Sequence, residues 1–182
     1  MDAYPFVDEK GNSLTTFGAI LSNDGVYSNA LMGANKLSLD NPISLVSEWT
    51  IEFYAKYEGL DSPLYIESYQ GEITVIHANK YILARKNRNS LDSVLLFTSN
   101  INFSSYRYIQ IIYTAGTLSV YCDSLLVGSI TSNVTFTLGE ICGDGGTSFG
   151  GDHSGMLIDD LRVTLAARPR IIPTQPFSTS LC

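Results

Sequence analysis

Trp49-Thr-Ile-Glu-Phe-Tyr-Ala-Lys56 decides the fold, because its apolar residues return at every second position. An extended chain points successive side chains to opposite faces, so Trp49, Ile51, Phe53 and Ala55 share one face. Glu52 falls in the opposite phase. Thr117-Leu-Ser-Val-Tyr-Cys122 repeats the pattern, and Cys122 reads as a small core residue beside Leu118 and Val120. Tyr108-Ile-Gln-Ile-Ile-Tyr113 is apolar on both faces, so a sheet should cover one side and a loop or partner the other.

Similar short segments occur at 16–21, 35–40, 63–69, 72–78, 80–86, 93–99, 107–114, 125–130, 136–142 and 155–165. Helical periodicity is almost absent. About a dozen strands at roughly ten-residue spacing are the pattern of a sandwich or barrel. Tyr69-Gln-Gly-Glu72 reads as a tight hairpin, and Thr114-Ala-Gly-Thr117 and Cys122-Asp-Ser-Leu125 each join two patterned strands. No repeat of solenoid or propeller period occurs. After Ala167 the character changes. Prolines at 169, 173 and 176 exclude helix and most strand pairing, so 168–182 is expected as an extended tail to a sandwich domain at 1–167. Ile171, Ile172 and Phe177 suit a segment that lies along a surface, its own domain's or a neighbour's.

The chain has 182 residues, 45% hydrophobic and 16% charged, which suffices for one core without disulfides or metals. A net charge of −7 without a basic run argues against nucleic acid. The densest basic stretch, Arg85-Lys-Asn-Arg88, reads more readily as a solvated hairpin end than as an anion site. Met1-Asp-Ala-Tyr-Pro5 lacks the basic and apolar regions of a signal peptide, and no apolar run is long enough to cross a bilayer. Synthesis in a cytosol, with release only by lysis or within a larger particle, is the expectation. Cys122, Cys142 and Cys182 show no metal-ligand spacing, and a Cys122–Cys142 bridge is unexpected in a reducing compartment.

The order of these patterns resembles the concanavalin A-like jelly roll in its laminin G-like branch, an all-β fold of two antiparallel sheets. Trp49–Lys56 looks like that branch's early strand. Tyr106–Asp123 is similar to its central hairpin, with Tyr106 in place of the usual Trp and Ser124 in place of the turn glycine, so that turn is expected to need another geometry. Gly155-Met-Leu-Ile-Asp-Asp-Leu-Arg-Val163 resembles its closing strand. The likeness covers roughly 14–166. Ala167-Arg168 with Pro173-Thr-Gln-Pro-Phe177 is similar to the end of such domains in tailed-phage structural proteins, with Pro169 where Tyr is usual.

Sugar-cleaving relatives of this fold carry Glu-x-Asp-x-(x)-Glu on one strand, as nucleophile and acid. No such run occurs here. Glu48 and Glu52 flank the first strand, and Glu67 and Glu72 sit on either side of a turn. Neither His77 nor His153 has a nucleophile in a recognisable setting, so no catalytic residue is expected. The glycine-rich run 143–155 is a flexible connection or a cation loop, in which Asp144 and Asp152 offer hard oxygens suited to calcium. Asp159 and Asp160, one expected on each face of the closing strand, read as hydrogen-bonded structural carboxylates or, by the resemblance, as holders of a calcium. Tyrosines at 54, 65, 69, 81, 106, 108, 113 and 121 are dense enough that some should be exposed for sugar rings or protein contacts.

The resemblance implies a non-enzymatic protein on the virion surface of a tailed phage, a capsid decoration or a tail-fibre component. It would form homo-oligomers, contact other virion proteins and host surface polysaccharide, and need no cofactor beyond a calcium ion at Asp144, Asp152 and Asp159. Its docking segment would comprise Arg168, Pro169, Ile171, Ile172, Pro173, Pro176 and Phe177. The alternative is a stand-alone lectin-like carbohydrate-binding module.

Overall fold

The computed structural model describes residues 6–7, 13–17, 20–26, 30–32, 36–57, 64–68, 71–77, 81–85, 93–98, 102–131, 133, 136–141 and 156–175. All regular structure among the described residues is strand: β1 (Phe6–Val7), β2 (Ser13–Phe17), β3 (Ile20–Ser22), β4 (Ala30–Met32), β5 (Lys36–Leu45), β6 (Trp49–Tyr57), β7 (Leu64–Ser68), β8 (Gly71–His77), β9 (Tyr81–Arg85), β10 (Ser93–Thr98), β11 (Arg107–Thr114), β12 (Thr117–Cys122), β13 (Leu125–Thr131), β14 (Phe136–Ile141) and β15 (Met156–Thr164). They form an eight-stranded sheet A, ordered β1-β2-β5-β14-β7-β8-β9-β10, and a seven-stranded sheet B, ordered β13-β12-β11-β6-β15-β4-β3. Pairings within each sheet are antiparallel throughout, as expected.

The core lies between the sheets. Trp49, Ile51, Phe53 and Ala55 meet Ile109, Ile111 and Tyr113 of the next strand and Leu118, Val120 and Cys122 beyond it. Leu45 and Leu138 come from sheet A. The alternation read from the sequence in β6 and β12 is therefore the inward phase. Cys122 is a free, buried thiol.

Two strand expectations are corrected. The segment 16–21 divides between β2 and β3, which belong to different sheets. The segment 35–40 runs on to Leu45 through Pro42. The ladder to β14 breaks there, with Ser38 opposite Glu140 and then Ile43 opposite Leu138, so Pro42 forfeits no ladder bond.

Both central hairpins turn in two residues at positive φ, the left-handed geometry that suits strand twist: Ala115 at 48° and Gly116 at 73°, Asp123 at 48° and Ser124 at 67°. The second turn thus keeps this geometry without glycine. Asp123 stabilises it, its Oδ1 accepting from the Tyr108 N–H at 3.0 Å and its Oδ2 from Arg107 at 2.8 Å.

Candidate functional site

On the outer face of sheet B, β6 presents Thr50, Glu52 and Tyr54, opposite Ile112, Gln110 and Tyr108 of β11. Glu52 is only 1% exposed, so its carboxylate must be satisfied by protein donors. Tyr108 Oη donates to Oε2 at 2.5 Å and Gln110 Nε2 to the same oxygen at 3.0 Å. Arg162 of β15 and Arg168 pair with Oε1, the latter through Nε at 3.1 Å. Burial, and then the bond to Glu52, push the Tyr108 hydroxyl pKa well above the ordinary range.

Arg168 belongs to the segment that closes this face. Thr50 Oγ1 donates to Ala166 O at 2.8 Å and accepts from Arg168 N at 3.1 Å. Gln110 Nε2 donates to Pro169 O at 3.0 Å, and Tyr54 Oη donates to Pro173 O at 2.9 Å. Arg170 lies 5.2 Å above the Tyr121 ring. The Ile171 N–H bonds Pro169 O across a three-residue turn. The proline-rich segment is therefore a strap that leaves β15, crosses β6 and β11 to β12, and returns to β6. Proline-containing backbone has few donors of its own, so the domain supplies donors and the strap supplies carbonyls. The two-faced apolar character of β11 is explained: its cover is the chain's own tail.

Of the docking residues expected from sequence, Arg168, Pro169 and Pro173 are engaged with the domain itself. Ile171 and Ile172 are 69% and 39% exposed. Pro176 and Phe177 lie outside the described residues, as do Asp144, Asp152 and Cys142. Among the described residues no group of three or more His, Cys, Asp or Glu side chains could hold a metal. Asp159 is buried at the position paired with Tyr54. The strand bulges between Asp159 and Arg162, and Asp160 sits there at φ 52°. Asp160 and Leu161 thus fall together between the positions paired with Tyr54 and Glu52, and Ile158, Leu161 and Val163 take the places against the core. Of the eight tyrosines singled out in the sequence, the side chains of Tyr65, Tyr69 and Tyr81 lie outside the described residues. Tyr54, Tyr108, Tyr113 and Tyr121 are buried, with Tyr54 and Tyr108 in ring contact and Tyr113 stacked on Trp49. Tyr106 packs against the Tyr54–Tyr108 pair while Lys56 Nζ lies 5.9 Å from its ring centroid.

On sheet A, register brings together residues far apart in sequence. Glu140 of β14 pairs with Glu67 of β7, Glu67 with Glu72 of β8, Glu72 with Arg85 of β9, and Arg85 with Ser93 of β10. On the other side Glu140 pairs with Ser38. The alternate row is apolar: Leu37, Ile141, Ile66, Ile73, Ala84 and Val94. Leu37 shares its phase with Leu39, which packs on the core. The charged row and the apolar row thus alternate in register across sheet A. A second polar pairing, Tyr65 with Thr74, lies two residues along. Directly paired Cα positions are about 4.5–5.5 Å apart, and like charges placed so are mutually unfavourable. Glu67 and Glu72 were legible as residues flanking a hairpin. Arg85 and Glu140 were missed, because only long-range strand order places them here.

Comparison with protein-family models and with curated proteins returns no match. Among solved structures the chain is similar to the binding domain of Paraclostridial Mosquitocidal Protein 1, with TM-score 0.65 and 11% identity over 88% of this chain and 45% of that one. It is also similar to the binding domain of botulinum neurotoxin DC in complex with SialylT, with TM-score 0.62 and 13% identity over 88% and 44%. The chain thus spans about half the length of either structure. A third likeness is to domain 4 of AbnA, a GH43 extracellular arabinanase from Geobacillus stearothermophilus, in complex with arabinotriose: TM-score 0.60 and 16% identity over 88% of this chain and 84% of that one. Identities this low speak to fold, and the fold is an all-β sandwich of two antiparallel sheets, shared with these structures.

Proposed function

We propose that this sandwich is a non-catalytic carbohydrate-binding module whose glycan-contacting positions are the charged register row of sheet A. The observation that carries the reading is the row Ser38–Glu140–Glu67–Glu72–Arg85–Ser93, with Tyr65 and Thr74 alongside. Carboxylates are acceptors only, a guanidinium is a donor only, and sugar hydroxyls are both, so a polyol can bridge such a row. Hydroxyl donors also relieve the repulsion between paired glutamates. The fold shared with domains seen in complex with SialylT and with arabinotriose supports this reading. Sheet B offers its outer face to the strap instead.

This shifts the weight from a virion-architectural role toward the lectin-like one. Display on a tailed-phage surface, with host polysaccharide as the ligand, remains part of the proposal through the tail motif Ala167-Arg168 and Pro173–Phe177. The test is titration of the purified chain with bacterial surface polysaccharides and with arabinan, in calcium and in chelator. Saturable binding that falls at least tenfold in Glu67→Gln and in Arg85→Ala is expected, without new reducing ends. Binding unaffected by either substitution would remove sheet A as the site. Cleavage of the glycan would make the paired glutamates an acid pair and refute the non-catalytic reading.

A further inference from the structure

Among the described residues strand β13 ends sheet B, beside β10 of sheet A, and its seven residues, Leu-Leu-Val-Gly-Ser-Ile-Thr, include no charge and no proline. Edge strands are usually protected by those residues, because a free ladder of N–H and C=O groups invites another strand. The local charge differs from that of the chain as a whole. The protein carries −7, yet neither β13 nor the strap from Leu165 to Gln175 contains an acid, and the strap contributes Arg168 and Arg170. Acidic chains repel one another least at such a place.

Apolar surface gathers at the same edge. Tyr121 of β12 pairs with Leu126, which is 55% exposed, and Arg170 lies on the Tyr121 ring. The strap's turn, with Ile171 and Ile172 exposed, therefore stands beside β13 on the outer face of sheet B. Val127 is the extra residue of a bulge against β12, which leaves Gly128–Thr131 as the regular part of the edge.

We propose that this rim, the edge of β13 together with the strap's turn at Arg170–Ile172, is the contact through which two copies of this chain associate about a two-fold axis. An antiparallel edge is its own complement, so the same groups serve on both copies and the assembly closes at two. Pairing of Gly128–Thr131 with its counterpart satisfies the edge ladder, while Leu126, Ile171 and Ile172 of each copy lose water together. The glutamate row lies on the opposite sheet, so two copies would present two separate faces.

Sedimentation of the full chain over about 1–100 µM tests this. A dimer is expected, converted to monomer in the double variant Leu126→Asp/Ile171→Asp and retained in Val46→Asp, an exposed apolar residue elsewhere. Circular dichroism should be unchanged, since all three side chains are exposed. A second variant, Ser129→Pro, removes an edge N–H without adding charge and should weaken the dimer at least tenfold. A monomeric wild type, or a dimer that survives the double variant, would overturn the proposal. Neither result bears on glycan binding at sheet A, which is read by titration.

Discussion

Replacing Glu52 by Gln should destabilise the protein far more than replacing either arginine that faces it. Glu52 is the common acceptor for Tyr108, Gln110, Arg162 and Arg168, and it is buried. Removing one partner of a buried ion pair costs about 3–5 kcal/mol. Here Arg162 and Arg168 are 25% and 37% exposed and can partly rehydrate, which places the cost at about 3 kcal/mol. In a domain of this length that lowers Tm by about 6–12 °C. Arg168→Met keeps the apolar stem and leaves Arg162 on the carboxylate, so its cost should be about 1 kcal/mol. The double variant should fall short of the sum, because the pair acts through one oxygen. Urea unfolding followed by Trp49 fluorescence is the assay, Trp49 being the sole tryptophan and fully buried. A Glu52→Gln cost no greater than that of Arg168→Met would refute the view that this carboxylate anchors the strap.

Other outcomes are expected from the same structure. Tyr54→Phe removes the donor to Pro173 O and should cost about 1 kcal/mol, with faster proteolysis of the strap than in wild type. Ser124→Gly should stabilise by about 0.5–1 kcal/mol in the same urea assay, since glycine adopts the left-handed turn without the steric cost of a Cβ. Burial, with Asp123 nearby, pushes the Cys122 thiol from an ordinary value near 9 up to about 11, against the pull of Arg107. Native Cys122 should therefore resist alkylation at pH 8 and react only on unfolding. Stability should follow suit. The folded state holds the Cys122 and Tyr108 protons more tightly than the unfolded one, so their contribution is complete below about pH 9 and declines above it. Urea midpoints at pH 8 and pH 10.5 measure this, and Cys122→Ala should flatten the decline between pH 9 and 10.

What the sequence disclosed and what it hid divide along sequence separation. The inward phases of β6 and β12 and the positions of the hairpin turns follow from alternation and from residues two or three apart, so they were legible. The need for a cover over β11 was legible too, because Tyr108 and Ile112 had to be buried on the face that Ile109 and Ile111 leave free. That the cover is the chain's own strap was not. It depends on Glu52 and Arg168, which lie on opposite sides of four intervening strands of sheet B and of much of sheet A in chain order. Glu52 was read correctly as out of phase with the core, yet it is as buried as the core, a state that alternation alone does not reveal. The bulge at Asp160 shifts the phase of β15, which alternation alone does not reveal. The glutamate row failed to show for a similar reason: Glu140 reaches Glu67 only through sheet order.

The strap also decides how the molecule would carry a mechanical load. Tension applied beyond residue 175 meets the Tyr54–Pro173 bond first, then the Arg170–Tyr121 contact, then Gln110–Pro169, and only then Arg168 and the anchor on Thr50. These links would break one after another, as in peeling, each under low force. Strand β15 behind them is paired with β6 from Met156 to Thr164 and with β4 at Leu157 and Ile158, and would resist in shear. The strap is thus a fuse that lengthens before the sandwich feels the pull.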